Sequence, residues 1–354
     1  MPTTLRTSLK DLFFSPIQNG RQIAILVLVA FLLVFIPQPP VNDWDINTRG
    51  FWSDFPNTYA DPNRVYPPWG LILMIPYYLM RAEGARFLSG IVMGLLVIRR
   101  GWSLSRFLAI VLSPYFFWTL ATSNMDVLVL VLPILIWEMS WGKRWQSIGR
   151  GGALSISLLK PQGMLFIWLY WFWSCRKQWK ELIVPVIIGA GVVIPISLVG
   201  SPPLVIQWLN NLANPSPVNK LYWTINNVSL TARYSLPGAL LILVPLALVF
   251  IVLARWRRMT WTRDHTLSSL LIASMSLSPY ASQQGVAPAL AFIPSWMAVI
   301  VQYIGLAVGM IGFHYLKHVP QYVLFFACVS LVLFIPRTEN GKAQAPEQRN
   351  AGRV

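Results

Sequence analysis

Charge is what this sequence has least of. Only 11% of its 354 residues are charged, against about 25% in a soluble globular protein, so most of its surface does not meet water. Acid is the scarcer sign, with 12 Asp and Glu against 28 Lys and Arg. Cysteine is nearly missing. Cys175 and Cys328 both lie in or beside apolar segments, which argues against a disulfide framework and a cysteine metal site. His265, His314 and His318 are scattered, form no metal cluster with the carboxylates and receive no role.

The formal charge of +16 would suit nucleic acid if the basic residues shared a water-exposed face with polar and aromatic partners. They do not. They fall in short patches beside apolar segments: Arg6, Lys10 and Arg21; Lys143, Arg144 and Arg150; Arg176, Lys177 and Lys180; Arg255, Arg257, Arg258 and Arg263. Cytoplasmic loops of membrane proteins carry this pattern. No segment is long enough for a nucleic-acid-binding domain, so no nucleic-acid partner is expected.

What is abundant is apolar sequence. Hydrophobic residues make up 55% of the chain, and residues 23–37 hold no charge, with 182–199 and 235–254 similar. A helical span needs about 20 residues, fewer where helices are broken or buried in a bundle. The spacing predicts spans at 21–37, 69–81, 84–98, 104–120, 125–139, 150–175 as a broken pair, 182–199, 235–254, 267–278, 285–299, 300–313 and 319–336. The expected fold is all-α, a polytopic transmembrane bundle of about 10–12 spans. Tryptophans near segment ends, such as Trp69, Trp137, Trp141, Trp145, Trp168, Trp171 and Trp173, resemble interfacial belts. The first apolar segment ends on Phe35-Ile36-Pro37 without a small-residue cleavage site, so it reads as a retained anchor.

Three regions follow: a cytoplasmic N-terminal segment at 1–20, a transmembrane domain at 21–336, and a polar, disordered cytoplasmic tail at 337–354. No convincing internal repeat stands out. Basic loops place the N-terminus, 141–149, 176–181, 255–266 and the tail inside, and loops 38–68, 200–233 and 279–284 outside. Residues 69–106 admit two readings. Two crossings would put Arg99, Arg100 and Arg106 outside; a single crossing, with a re-entrant or interfacial piece, keeps them inside. Charge favours the single crossing, and length favours two.

Loop 38–68 gathers Asp43, Asp45, Asp54 and Asp61, four of the 12 acidic residues, and closes on Tyr66-Pro67-Pro68-Trp69-Gly70. Asp43 and Asp45 share a face if their segment is extended. A carboxylate near lipid has its pKa raised toward values that suit a general base; the plain alternative is a solvated loop. Paired prolines suit a helix start, where the first amides lack partners anyway. They would also hold the acidic loop over the bundle. Lys160-Pro161 interrupts an apolar run. A lysine at that depth is a functional candidate by default, and a broken helix could free backbone groups for an anion; an outer turn with a snorkelling lysine is the alternative.

Asn124 and Asp126 open the span at 125–139, where Asp126 could simply serve the helix start. Ser278-Pro279-Tyr280, followed by Ser282, Gln283 and Gln284, is a polar break between apolar spans. It could line a cavity or merely turn the chain. Loop 201–233 carries Lys220 and Arg233, no acid, and Asn226, Asn227 and Ser229 between them. Basic residues outside suggest a phosphate-bearing partner, or else two isolated interfacial cations.

In order along residues 43–284, these features resemble the GT-C-fold, polyprenyl-phosphate-sugar-dependent membrane glycosyltransferases, closest to the bacterial mannosyltransferase-like family 87. The resemblance rests on Asp43, Asp45 and Tyr66-Pro67-Pro68; on Ser123-Asn124-Met125-Asp126 before a span; on Lys160-Pro161; on Asn227-Val228-Ser229-Leu230 with Arg233; and on Ser278-Pro279. Two departures stand out. Relatives carry an aromatic and a histidine after the Ser-Pro pair, where this chain has Tyr280 but then Ala281, Ser282, Gln283 and Gln284. A Gly-Gln pair is replaced by Ser123-Asn124. The turn at 123–126 should lie on the catalytic face, which supports the single crossing.

The resemblance implies inverting transfer of a hexose, mannose first, from a polyprenyl-phosphate donor to a lipid or glycan acceptor outside the cytoplasmic membrane. Asp45, with Asp43 its rival, would be the general base. Lys160, Lys220 or Arg233 would stabilise the leaving lipid phosphate. Tyr66, Asn124, Asp126, Asn227, Ser229, Ser278 and Gln283 complete the substrate-binding set. A divalent cation, magnesium or manganese, is permitted by the two aspartates without being required. Membrane lipids are the surrounding partner. Two other classes remain open: a transporter or lipid flippase using Lys160 and Asp126 as pathway residues, and a non-catalytic envelope-assembly protein.

Overall fold

The computed structural model describes residues 9–39, 50–55, 57–61, 66–139, 142–214, 216–217, 228–256, 261–278, 281–316 and 325–331. The regular elements among them are all helical. The chain opens with α1 (Leu9–Phe14) and α2 (Gly20–Leu32). Asn19 starts α2 with a capping box, its Oδ1 accepting from the Gln22 amide at 2.9 Å. Two short elements follow, α3 (Gly50–Ser53) and α4 (Gly70–Leu73). The long helix α5 (Ile75–Arg99) comes next.

α2 and α5 pack closely because α5 presents small residues four apart. A Cβ on Gly90 would stand 2.9 Å from Ala30 Cβ, and one on Gly94 would overlap Leu26. Glycines at this spacing let two helix backbones approach in an apolar solvent, where packing rather than hydrophobicity drives association.

Several apolar stretches are built from broken pieces. α6 (Leu104–Val111) and α7 (Pro114–Ala121) meet at 61°, where Ser113 caps the second helix and Pro114 occupies its first position. A π turn at Val127–Val131 leads into α8 (Leu132–Glu138). There the Leu132 amide reaches back five residues to Val127. Pro133 follows, and the wider turn before it relieves the crowding its ring would cause. α9 (Lys143–Ser157) and α10 (Pro161–Ser174) form the broken pair expected over 150–175. The remaining helices are α11 (Lys180–Ser197), α12 (Leu204–Ala213), α13 (Leu230–Trp256), α14 (Arg263–Leu277), α15 (Val286–Ala291) and α16 (Trp296–Leu316).

Two expectations need correction. The break predicted between 299 and 300 falls instead at 292–295, and α16 runs straight through 300. Pro294 and Ser295 explain the shift, since the Ser295 hydroxyl caps the new helix by accepting from the Ala298 amide at 3.0 Å. The stretch read as an outer loop at 200–233 contains α12. The break expected between 81 and 84 is present, because Arg81 leaves the helical conformation inside α5, with φ 61° and ψ −179°.

The far end of α5 fixes its side of the bundle. Arg100 pairs with Glu138 at the end of α8 and with Asp264 at the start of α14, each at 2.7 Å, and Arg263 reaches Glu138 at 3.1 Å. Nearby, the Ile17 amide donates to the Trp102 carbonyl at 3.1 Å. The ends of α5 and α8, the start of α14 and residues 15–17 therefore share one face.

By length and apolarity, two described helices can cross a membrane, Lys180–Ser197 and Tyr234–Leu253, and the bent pair of α6 and α7 makes a third if it is one span. Several of the other expected spans are divided by breaks, as at 112–113, 158–160 and 292–295. Apolar side chains face outward along both long helices: Ile187 is 63% exposed and Leu241 76%. A water-facing surface would not carry such a continuous apolar face.

Candidate functional site

The site is assembled from chain breaks. α7 ends in a Schellman-type turn: the Asn124 amide donates to Thr119 O and the Ser123 amide to Leu120 O, each at 2.9 Å. Ser123 takes the left-handed position of that turn, with φ 51°. Asn124 Oδ1 then accepts from the Asp126 amide at 2.8 Å, an Asx turn that aims the next residue. Asp126 is fully buried.

Opposite stands Lys160, the residue before α10, with Pro161 in that helix's first turn. Lys160 Nζ donates to Asp126 Oδ1 at 2.5 Å and to Ser282 Oγ at 3.4 Å. Ser282 Oγ in turn donates to Asp126 Oδ2 at 3.4 Å. Cation, carboxylate and hydroxyl thus form a closed triangle drawn from three separate breaks. Lys160 keeps only 6% of its surface exposed. Gly285 makes the approach possible, because a Cβ there would lie 2.8 Å from Met275 Sδ and 3.4 Å from Asp126 Oδ2.

The turn that carries Lys160 is held from outside the triangle. Trp69 Nε1 donates to the Leu158 carbonyl at 2.8 Å, and its ring meets Trp208 of α12 edge-on, with centroids 5.5 Å apart. Trp168 Nε1 donates to Ser157 Oγ at 2.8 Å. Asn211 of α12 donates to the carbonyls of Tyr59 and Asp61, both at 3.2 Å. Residues 59–61 and α12 are therefore joined. Burial pushes the Tyr59 phenol up, so it stays a donor, and it bonds the Tyr66 carbonyl at 2.5 Å.

Of the residues expected from the sequence, the structure brings Asn124, Asp126 and Lys160 together. Ser229 and Ser278 meet beside them, the Ser229 hydroxyl donating to the Ser278 carbonyl, while the Val228 amide donates to Ala281 O at 2.8 Å. These contacts hold Ser278 and Ala281, on either side of residues 279–280. Tyr66 joins Tyr59 instead of the triangle. Asp43, Asp45, Lys220 and Asn227 lie outside the described residues, as do the side chains of Arg233 and Gln283.

Asp126 does not serve as a side-chain cap for its own helix; its carboxylate answers Lys160. Among the described residues no group of three or more His, Cys, Asp or Glu side chains could hold a metal ion. Sequence reasoning passed over Arg86, Trp69 and Gly285 as site components. Arg86 offered a signal, being a charge inside an apolar stretch; Gly285 offered none.

Buried polar breaks between apolar helices, with outward apolar faces, define a membrane-associated all-helical protein with an electrostatic site inside the bundle. The family model for glycosyltransferase family 87 matches residues 65–282. The chain therefore belongs to glycosyltransferase family 87, a family of bacterial GT-C-like membrane glycosyltransferases. Membership supports hexose transfer from a polyprenyl-phosphate-linked sugar. No curated protein and no solved structure matches the chain.

Proposed function

We propose that the protein is an inverting hexosyltransferase, mannose being the first expectation for its sugar. Donor sugar would pass from polyprenyl phosphate to a lipid or envelope-glycan acceptor on the outer face of the cytoplasmic membrane. Residues 21–336 would form a polytopic GT-C-like bundle of about 10–12 spans, with 1–20 and 337–354 inside. The ion cluster at Arg100, Glu138 and Asp264 would face the cytoplasm, as basic loops do. The site would then open outward.

The observation that carries this reading is the Lys160 ammonium, buried at the start of α10 beside Asp126. A cation at a helix N-terminus is an unfavourable pairing on its own, and it makes a strong anion site. A lipid phosphate leaving the sugar develops negative charge, and a cation fixed in a water-poor cavity stabilises that charge best. Lys160 would fill that role, with Lys220 and Arg233 as rivals.

The general base would be Asp45, with Asp43 its rival. Gln38 Nε2 donates to Ser123 Oγ at 2.8 Å, which anchors the stem of their loop to the turn holding Asn124 and Asp126. Five to seven residues of chain reach at most about 18–25 Å, which bounds how far either carboxylate can lie from Gln38. Asp45 would take the acceptor hydroxyl proton as that oxygen attacks the sugar C1. The bond from C1 to the phosphate oxygen would break on the opposite face, inverting the anomeric centre. A divalent cation, if used, would be held by Asp43 and Asp45.

The test is sugar transfer by purified protein in lipid, with a panel of polyprenyl-phosphate sugars and total envelope acceptors. Product from wild type, lost in Asp45→Ala or Asp43→Ala while folding persists, supports the reading and identifies the base. No product from any donor, with both variants unchanged in a cellular phenotype, would overturn it in favour of transport or scaffolding.

A further inference from the structure

Arg86 is a full charge in the middle of α5, only 3% exposed, and nothing above gives it a task. Its guanidinium joins three chain segments. Nε donates to Leu120 O at 3.0 Å and to Ser123 Oγ at 3.2 Å, while Nη1 donates to Val34 O at 3.0 Å and to Ile36 O at 2.5 Å. The first two acceptors belong to the turn that presents Asn124 and Asp126. The other two belong to the stem of loop 38–68. Gln38 closes the arrangement on the same Ser123 hydroxyl.

Two features of the sequence go against local stability here. A charge inside an apolar span is expensive and is retained where it has work to do. Ser123 holds a left-handed position that glycine would occupy with less strain. Its hydroxyl explains the choice, because it accepts from both Arg86 and Gln38.

We propose that Arg86 is a positioning residue for sugar transfer, clamping the stem of the acidic loop to the turn that carries Asp126. It acts through Ser123 and touches no reacting atom. The clamp fixes residues 34–38, the stem from which Asp43 and Asp45 follow in sequence, against the turn beside the Lys160–Asp126 pair. This inference rests on the function proposed above.

The test uses full-length protein in lipid and two variants. Arg86→Lys keeps the charge but loses the planar fork that spans three segments. Ser123→Gly removes the shared hydroxyl and relieves the backbone, so its melting temperature should equal or exceed that of wild type. In both, kcat should fall about 10–100-fold, as expected for a misplaced catalytic group. Donor KM should change less than about twofold, because the Lys160 contacts are untouched. Amide hydrogen exchange across 38–68 should quicken, a readout that needs no activity.

Wild-type kcat in Ser123→Gly with unchanged exchange would overturn the clamp. So would a Ser123→Gly variant whose loss follows its melting temperature. If wild type transfers no sugar, the functional reading has failed, and exchange alone decides: quickened exchange supports the clamp and unchanged exchange overturns it.

Discussion

Lys160 and Asp126, each the residue that precedes a helix, meet at 2.5 Å with Asp126 wholly buried. A carboxylate is at home beside a helix start; an ammonium is not. The pair is therefore asymmetric. Asp126 aims Lys160, which under the proposed function would meet the incoming anion.

Breaking this pair from either side should be worse than removing it. Asp126→Asn leaves a buried ammonium without its counter-ion, and deleting one partner of a buried pair costs about 3–5 kcal/mol. The expected result is a large drop in melting temperature in lipid or detergent. A double variant, Asp126→Leu with Lys160→Met, should recover much of that stability yet transfer no sugar. Thermal unfolding beside the transfer assay checks both halves. A double variant that still transfers would remove Lys160 from the chemistry.

Trp69 should matter to the donor more than to the base. Its indole N–H holds the Leu158 carbonyl, two residues before Lys160, while its ring packs on Trp208. Trp69→Phe keeps most of the ring and removes the donor, leaving a carbonyl unmet at a cost of about 1–3 kcal/mol. We expect donor KM to rise about 5–10-fold, the arithmetic of about 1 kcal/mol of lost positioning, with kcat changed less. Steady-state kinetics over donor concentration decides it. A fall in kcat alone would place Trp69 with the base loop instead.

Gly285 predicts a compensation. A methyl there would press Met275 Sδ at 2.8 Å and Asp126 Oδ2 at 3.4 Å. Overpacking of this size costs about 1–3 kcal/mol, and the push falls on the carboxylate that steers Lys160. Gly285→Ala should lose transfer and stability together. Adding Met275→Ala removes the closer contact and should restore part of both. No recovery in the double variant would show that the crowding lies elsewhere.

How much of this was legible beforehand depends on range along the chain. The helical class followed from apolar runs, and Lys160-Pro161 and Asn124 through Asp126 stood out as polar interruptions of them. Their pairing was not legible, because residues 126, 160 and 282 meet only through packing. Helix breaks were read well where proline and a polar residue coincide with a dip in apolarity, as at 160–161. They were misread at 292–295, where apolar residues continue across the Ser295 cap. The side on which Arg100 lies was undecided by charge and length. Glu138 and Asp264, two acids that carried no signal of their own in the sequence, put Arg100 on the same face as the end of α8 and the start of α14.

Asp264 gives a pH dependence whose sign can be worked out. Burial pushes its carboxyl up from the ordinary value of 3.8, and the attraction of Arg100 only partly offsets this. The folded protein then holds the Asp264 proton more tightly than the unfolded chain does. Its contribution to stability is complete below the unfolded value and is lost as pH rises through the folded one. Asp264→Asn cannot titrate. The melting-temperature difference, wild type minus variant, should therefore be most favourable to wild type in acid and decline as pH rises. Thermal scans from about pH 3.5 to about pH 7, spanning the carboxylate range, measure it directly. A difference that grows with pH would mean that the 2.7 Å contact with Arg100 outweighs burial, and that the ion cluster holds its charge at a net gain.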